Sequence, residues 1–128
     1  MENKIDIDNF LQSRLNFLYS TKIVGTTFID GNQAFLGAIS KLSSEEKKKL
    51  TIALECEPTN RYDSNAVKVC IANARGQSRH VGYISKDSNV LFKRALEKGY
   101  RISILNPTII GSDSTNYGMV FNYRIMED

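Results

Sequence analysis

The chain has one histidine, two cysteines and two prolines, and each shortage removes a class of function. A single histidine, His80, cannot build a His-rich zinc site, and a His–Cys dyad would rest on that one ring. Cys56 and Cys70 lack the paired spacing of a zinc knuckle. No apolar run approaches the roughly 18 residues that a membrane helix needs. The opening MENKIDIDNF lacks the basic-then-apolar pattern of a secretory leader, so the sequence reads as a soluble, cytoplasmic protein. No GxxxxGK[ST], GxGxxG or GxSxG motif is present. The net charge of +3 is a weak field, so any nucleic-acid site must come from local placement of Lys and Arg.

What the sequence does contain is an ordinary globular balance. Hydrophobic residues at 41% and charged ones at 24% argue against disorder. The 128 residues suit one domain, able to bury about two-thirds of its unfolded surface. Apolar residues Ile7, Phe10, Leu11, Leu15 and Leu18 predict an amphipathic helix over residues 8–20, capped by Asp8 or Asn9 and packed on the domain or on a partner. Strands are expected over residues 22–29, 50–57, 66–72, 79–84, 100–110 and 117–125. Short helices are expected over residues 33–42 and from Ser85 to the stop at Gly99. The charged run Glu45 to Lys49 reads as a solvated face. With no βαβ rhythm, the pattern predicts a mainly β (α+β) fold, a small OB-like antiparallel barrel or half-barrel of about six strands with two or three appended helices. Residues 1–21 form a helical extension, and 22–128 the barrel domain.

Alternation also addresses the cysteines. Ile52, Leu54 and Cys56 share a face, as do Val67, Val69 and Ile71. If those sets face one core, Cys70 points the other way and no disulfide forms. Catalytic groups are sparse. Asp63 with Glu55 and Glu57 is the best carboxylate set for a magnesium nuclease, but the pattern fixes no basic partner. The protein is therefore expected to be no enzyme, with no cofactor and no metal.

Three segments carry a family resemblance: Ile23-Val24-Gly25-Thr26-Thr27-Phe28, then Glu57-Pro58-Thr59-Asn60-Arg61-Tyr62-Asp63-Ser64-Asn65-Ala66-Val67-Lys68-Val69, then Val81-Gly82-Tyr83-Ile84-Ser85-Lys86. The second is similar to the E-P-x-N-x-Y-D-x-N-A-[IV]-x-V pattern of HIRAN domains, and the third to their V-G-Y-I-x-[KR]. The resemblance implies an OB-like barrel that binds single-stranded DNA or DNA 3′ ends and serves a helicase or nuclease partner in trans. An alternative is a protein-interaction module that docks such an enzyme.

On that resemblance the binding set is Phe28, Asn60, Arg61, Tyr62, Asp63, Tyr83 and Lys86. Tyr62 stacks on a base or folds back to plug the barrel. Phe28 is an aromatic platform or a core residue. Asp63 accepts from a terminal 3′-hydroxyl, caps its own loop, or does both. Asn60 and Asn65 are also loop formers. Tyr83 stands where the family places an aromatic or histidine. Lys86, with the first turn of its helix, forms a phosphate seat. The chain departs from helicase-type relatives at Thr27 (arginine there), Arg61 (often proline) and Ile110 (an aromatic, unless Tyr117 substitutes).

Overall fold

The protein is seen here as a computed structural model that describes the backbone of residues 4–127 and side chains from residue 6. Residues 1–3 of the expected extension, and Asp128, lie outside the described residues. The helix α1 (Lys4–Arg14) leads into β1 (Tyr19–Val24), followed by α2 (Asn32–Ser40) and α3 (Ser44–Lys47). Then come β2 (Thr51–Cys56), β3 (Val67–Ala72), β4 (Ser78–Ile84), α4 (Asn89–Glu97), β5 (Arg101–Ser112) and β6 (Asn116–Met126). The strands form one sheet in the order β2-β3-β4-β1-β6-β5 with antiparallel neighbours throughout. The sheet curls into an OB-like half-barrel that stays open, since the two end strands are not paired with each other among the described residues. The expected fold is borne out, with four helices among the described residues where two or three were anticipated.

The concave face holds the core. Ile23, Val67, Val69, Ile71, Val81, Met119, Phe121, Tyr123 and Ile125 are buried there. Leu36 of α2 and Leu91, Phe92 and Ala95 of α4 join the same cluster, and the rings of Phe92 and Tyr123 lie 4.6 Å apart. The extra helix α3 is a single exposed turn closed by a capping box. Ser43 Oγ accepts from the Glu46 N–H and Glu46 Oε1 from the Ser43 N–H, each at 3.2 Å.

Three boundaries differ from the sequence reading. The first helix covers residues 4–14 rather than 8–20, because Asn16 adopts φ 67° and its N–H turns to Ile125 O at 2.9 Å. Asp8 is consequently no cap. It lies mid-helix and grips Arg94 of α4 through two bonds of 2.6 and 3.2 Å. Leu11 is fully buried in the common core, while Phe10 and Leu18 are exposed. The first strand ends at Val24 because Gly25 takes φ 76°, which frees Phe28 from the strand. The last helix begins at Asn89 rather than Ser85, since Ser85 O first takes the N–H groups of Ser88 and Asn89.

The register settles the cysteines. Cys56 pairs with Val67 while Cys70 pairs with Ala53, so they occupy opposite faces and both are free. Beside Cys70 the β3–β4 register shifts by a bulge, with Val69 opposite Gly82 but Cys70 opposite His80. Side chains three positions apart normally point to opposite faces. The bulge brings His80 and Tyr83 to the same face instead, their rings edge to face at 4.7 Å.

Candidate nucleic-acid interface

Two loops and one strand make a depression on the outer surface of the half-barrel. Its volume is about 550 Å³, and it is lined by Gly25, Phe28, Ile29, Glu57, Thr59, Asn60, Arg61, Tyr62, His80 and Tyr83. One wall is the turn after β1. Asn32, itself buried, donates to Thr26 O at 2.9 Å and to Val81 O at 2.8 Å. Arg79 donates to Asp30 O at 2.8 Å. These bonds fasten a backbone that has no ladder of its own, and they leave Phe28 90% exposed at its tip. Phe28 is therefore no core residue.

The opposite wall is the β2–β3 loop. Asn60 Oδ1 accepts the N–H groups of Tyr62 and Asp63 at 2.9 and 3.0 Å. Its Nδ2 donates to Glu57 Oε1 at 2.7 Å. The whole Asn60 side chain is thus engaged in shaping the loop. Tyr62 stands 84% exposed, with the Arg61 guanidinium 5.7 Å from its ring centre. It plugs nothing. The floor is β4 with Glu57, where Tyr83 Oη donates to Glu57 Oε1 at 3.0 Å and Lys68 Nζ lies 3.7 Å from Glu57 Oε2.

Asp63, next in the loop, is half-buried and is not one of the residues that line the depression. Its Oδ1 accepts from the Asn65 N–H at 2.9 Å and its Oδ2 from Asn89 Nδ2 at 2.8 Å. These bonds, the Asn65 one foremost, hold its carboxyl below the usual range, helped by the nearby ammonium groups of Lys86 and Lys93. Glu57 is also held low, chiefly by Asn60, so both carboxylates are ionised at neutral pH. Burial pushes the Tyr83 phenol up, with Glu57 adding to it. Burial also pulls His80 below its ordinary value, and its Nε2 faces Gly82 O at 2.8 Å.

Lys86 is exposed in the turn before α4. It stands near Asp63 but does not line the depression. Because α4 begins at Asn89, Lys86 lies before the first helical turn rather than in it, and the Ser88 and Asn89 N–H groups are engaged by Ser85 O. Thr27 is exposed. Tyr117 does not replace the aromatic missing at Ile110: it is buried, and its hydroxyl donates to Asp113 Oδ1 at 2.8 Å. Glu57 and His80 line the depression, yet sequence reasoning placed neither there. The bulge that turns His80 outward leaves no mark in composition, although the Glu57–Asn60 spacing of three is a recognisable loop-closing pattern. Among the described residues no three His, Cys, Asp or Glu side chains gather as a metal site, and no helix is long and apolar enough to cross a membrane.

The three motif segments that converge on this depression all lie within the span matched by a known family. The profile of the HIRAN domain matches residues 16–127. A protein from Lactobacillus plantarum of known crystal structure is similar in fold, with TM-score 0.55 and 18% identity over 84% of this chain and 92% of that one. The crystal structure of the HIRAN domain of human HLTF gives TM-score 0.46 and 19% identity over 84% of this chain and 76% of that one. No curated protein matches the chain in sequence. Family membership implies a DNA-binding module. The chain belongs to the HIRAN domain family.

Proposed function

We propose that this protein is a non-catalytic module that holds the end of a single DNA strand in the depression between Phe28 and Tyr62. The observation that carries the reading is the exposure of those two rings, 90% and 84%, on the border of one concavity. Exposed aromatic surface is a cost in water, and base stacking recovers about 1–3 kcal/mol per base without regard to sequence. Arg61 supplies a cation for phosphate beside the Tyr62 ring, and Lys86 a second one outside the depression, near Asp63. Asp63 keeps lone pairs beyond its two internal bonds, so it accepts from a 3′-hydroxyl and repels a 3′-phosphate. Tyr83 and Asn60 serve as floor and loop brace. The partners this implies are single-stranded DNA or DNA ends and a helicase or nuclease acting in trans.

Fluorescence anisotropy with labelled single strands, with and without a 3′-phosphate, tests the reading. Tighter binding of the 3′-hydroxyl form is expected. Equal binding removes the role of Asp63 at the terminus, and no binding below millimolar removes the function.

A second reading, docking of a DNA-processing enzyme, is favoured by one observation. Phe10, Phe17 and Leu18, on α1 and the turn after it, are each about half exposed or more. Salt separates the two, because phosphate contacts weaken steeply with ionic strength and an apolar interface does not.

A further inference from the structure

We infer that Glu57 is a positioning residue of the groove, a side chain that sets the Tyr62–Asp63 loop and Tyr83 of the floor in fixed relation. The inference rests on the groove as read above and adds a residue to it. Glu57 Oε1 accepts from Asn60 Nδ2 at 2.7 Å and from Tyr83 Oη at 3.0 Å, while Oε2 faces Lys68 Nζ at 3.7 Å. One carboxylate therefore joins the loop to the neighbouring strands β3 and β4.

The bond to Asn60 does more than tether. An asparagine amide has a donor end and an acceptor end, and the loop needs the acceptor end turned toward the N–H groups of Tyr62 and Asp63. A carboxylate accepts only. By taking Nδ2, Glu57 fixes which way the amide faces, and Oδ1 is left aimed at the two N–H groups. The backbone closure of the same loop is separate. The Glu57 N–H donates to Ala66 O at 2.9 Å and the Asn60 N–H to Glu57 O at 3.0 Å, so changing the side chain leaves the hairpin joined. Tyr83, on the other side, has its hydroxyl turned toward the loop by the same oxygen. Without Glu57, the exposed Tyr62 ring would keep its hairpin and lose its fixed aim.

The test uses the full chain and reads amide hydrogen exchange together with oligonucleotide binding. In Glu57→Leu, exchange at the Tyr62 and Asp63 amides should rise about tenfold, the scale of one lost hydrogen bond, while core amides such as Val69 keep wild-type protection. Glu57→Gln, which still offers an acceptor, should fall between. Affinity for a single strand carrying 2-aminopurine at its 3′ end should drop in the same order, and its quenching with it. The salt dependence should stay unchanged, because no phosphate contact is touched. Exchange at Tyr62 and Asp63 within about twofold of wild type in Glu57→Leu overturns the inference, since one lost bond exceeds that change. Should Glu57→Leu fail to fold, Glu57→Ala, which removes the acceptor without adding apolar bulk, is read by the same twofold criterion. If the wild type binds no oligonucleotide, the functional reading falls, while the exchange measurement still decides whether Glu57 positions the loop.

Discussion

Asp63 and Asn89 are joined by a 2.8 Å hydrogen bond between Oδ2 and Nδ2, which fixes the loop of the second motif to the first residue of the helix that follows the third. Asn89 is almost fully buried, so its amide has little access to water. Removing the partner leaves a buried donor unmade, at a cost of about 1–3 kcal/mol. Asp63→Ala should therefore lower the melting temperature measurably. Asp63→Asn, which retains oxygen for the Asn65 N–H but sets an amide against Asn89 Nδ2, should lose part of that stability and lose discrimination between 3′-hydroxyl and 3′-phosphate strands. Retained discrimination in Asp63→Asn would remove the charge from the explanation.

Phe28 and Tyr62 contribute almost no buried surface, so stability and affinity separate cleanly at these positions. Phe28→Ala and Tyr62→Ala should melt within a degree or so of wild type, as expected of exposed sites. Each should weaken single-strand binding by about 1–3 kcal/mol. A large loss of thermal stability in either would mean that the ring packs where it stands exposed.

Phosphate contacts have their own signature. Lys86→Ala and Arg61→Ala should each reduce the slope of log K against log salt by about 0.7, the value for one phosphate contact on a single strand. Lys48→Ala serves as control, since that side chain is exposed and paired with Glu45. Equal slopes for all three variants and wild type would leave phosphate binding without these residues.

His80 makes stability depend on pH. Burial lowers its folded pKa below the ordinary 6.5, so the unfolded chain binds the proton more readily than the folded one. Its contribution is complete above that value and is lost as pH falls through the window below it. The melting temperature should begin to drop as pH falls below the ordinary histidine value of 6.5, where histidine is the side chain expected to titrate. His80→Gln should flatten that change. Glu57 and Asp63, held low, add loss only under more acid conditions.

Gly82 tests the packing that underlies the third motif. A Cβ there would stand 2.8 Å from Val24 O and 3.0 Å from Ile23 Cδ1, and the first of these is backbone that cannot rotate away. Gly82→Ala should push β4 off β1 and cost about 1–3 kcal/mol, typical of overpacking, read as a shifted denaturation midpoint. An unchanged midpoint would show that the strands give way freely.

Several elements were legible because their cause is local. Alternation placed the strand of Val67, Val69 and Ile71 and the long run from Tyr117 to Ile125, since a half-buried strand repeats every two residues. The same periodicity predicted the opposed cysteines. Boundaries were less legible. Nothing in the run of apolar residues shows that Asn16 will turn left-handed and end α1 early. Ser85 looks like a cap, but its carbonyl closes a preceding turn and moves the helix start to Asn89.

The sequence alone determined most of the strands, which of their side chains face the core, and through three motifs the family, while for Asn60 and Asp63 it offered loop closure as one reading beside ligand contact. Those properties follow from neighbours within a few residues, where period and turn preference act. Whether Phe28 and Tyr62 faced water or core was undecidable at that level, because an aromatic side chain suits both. Only the folded chain decided it, by bringing residues from distant segments against one another: Asn32 and Arg79 holding one wall, Glu57 holding the other, and a bulge in β4 turning His80 and Tyr83 outward between them.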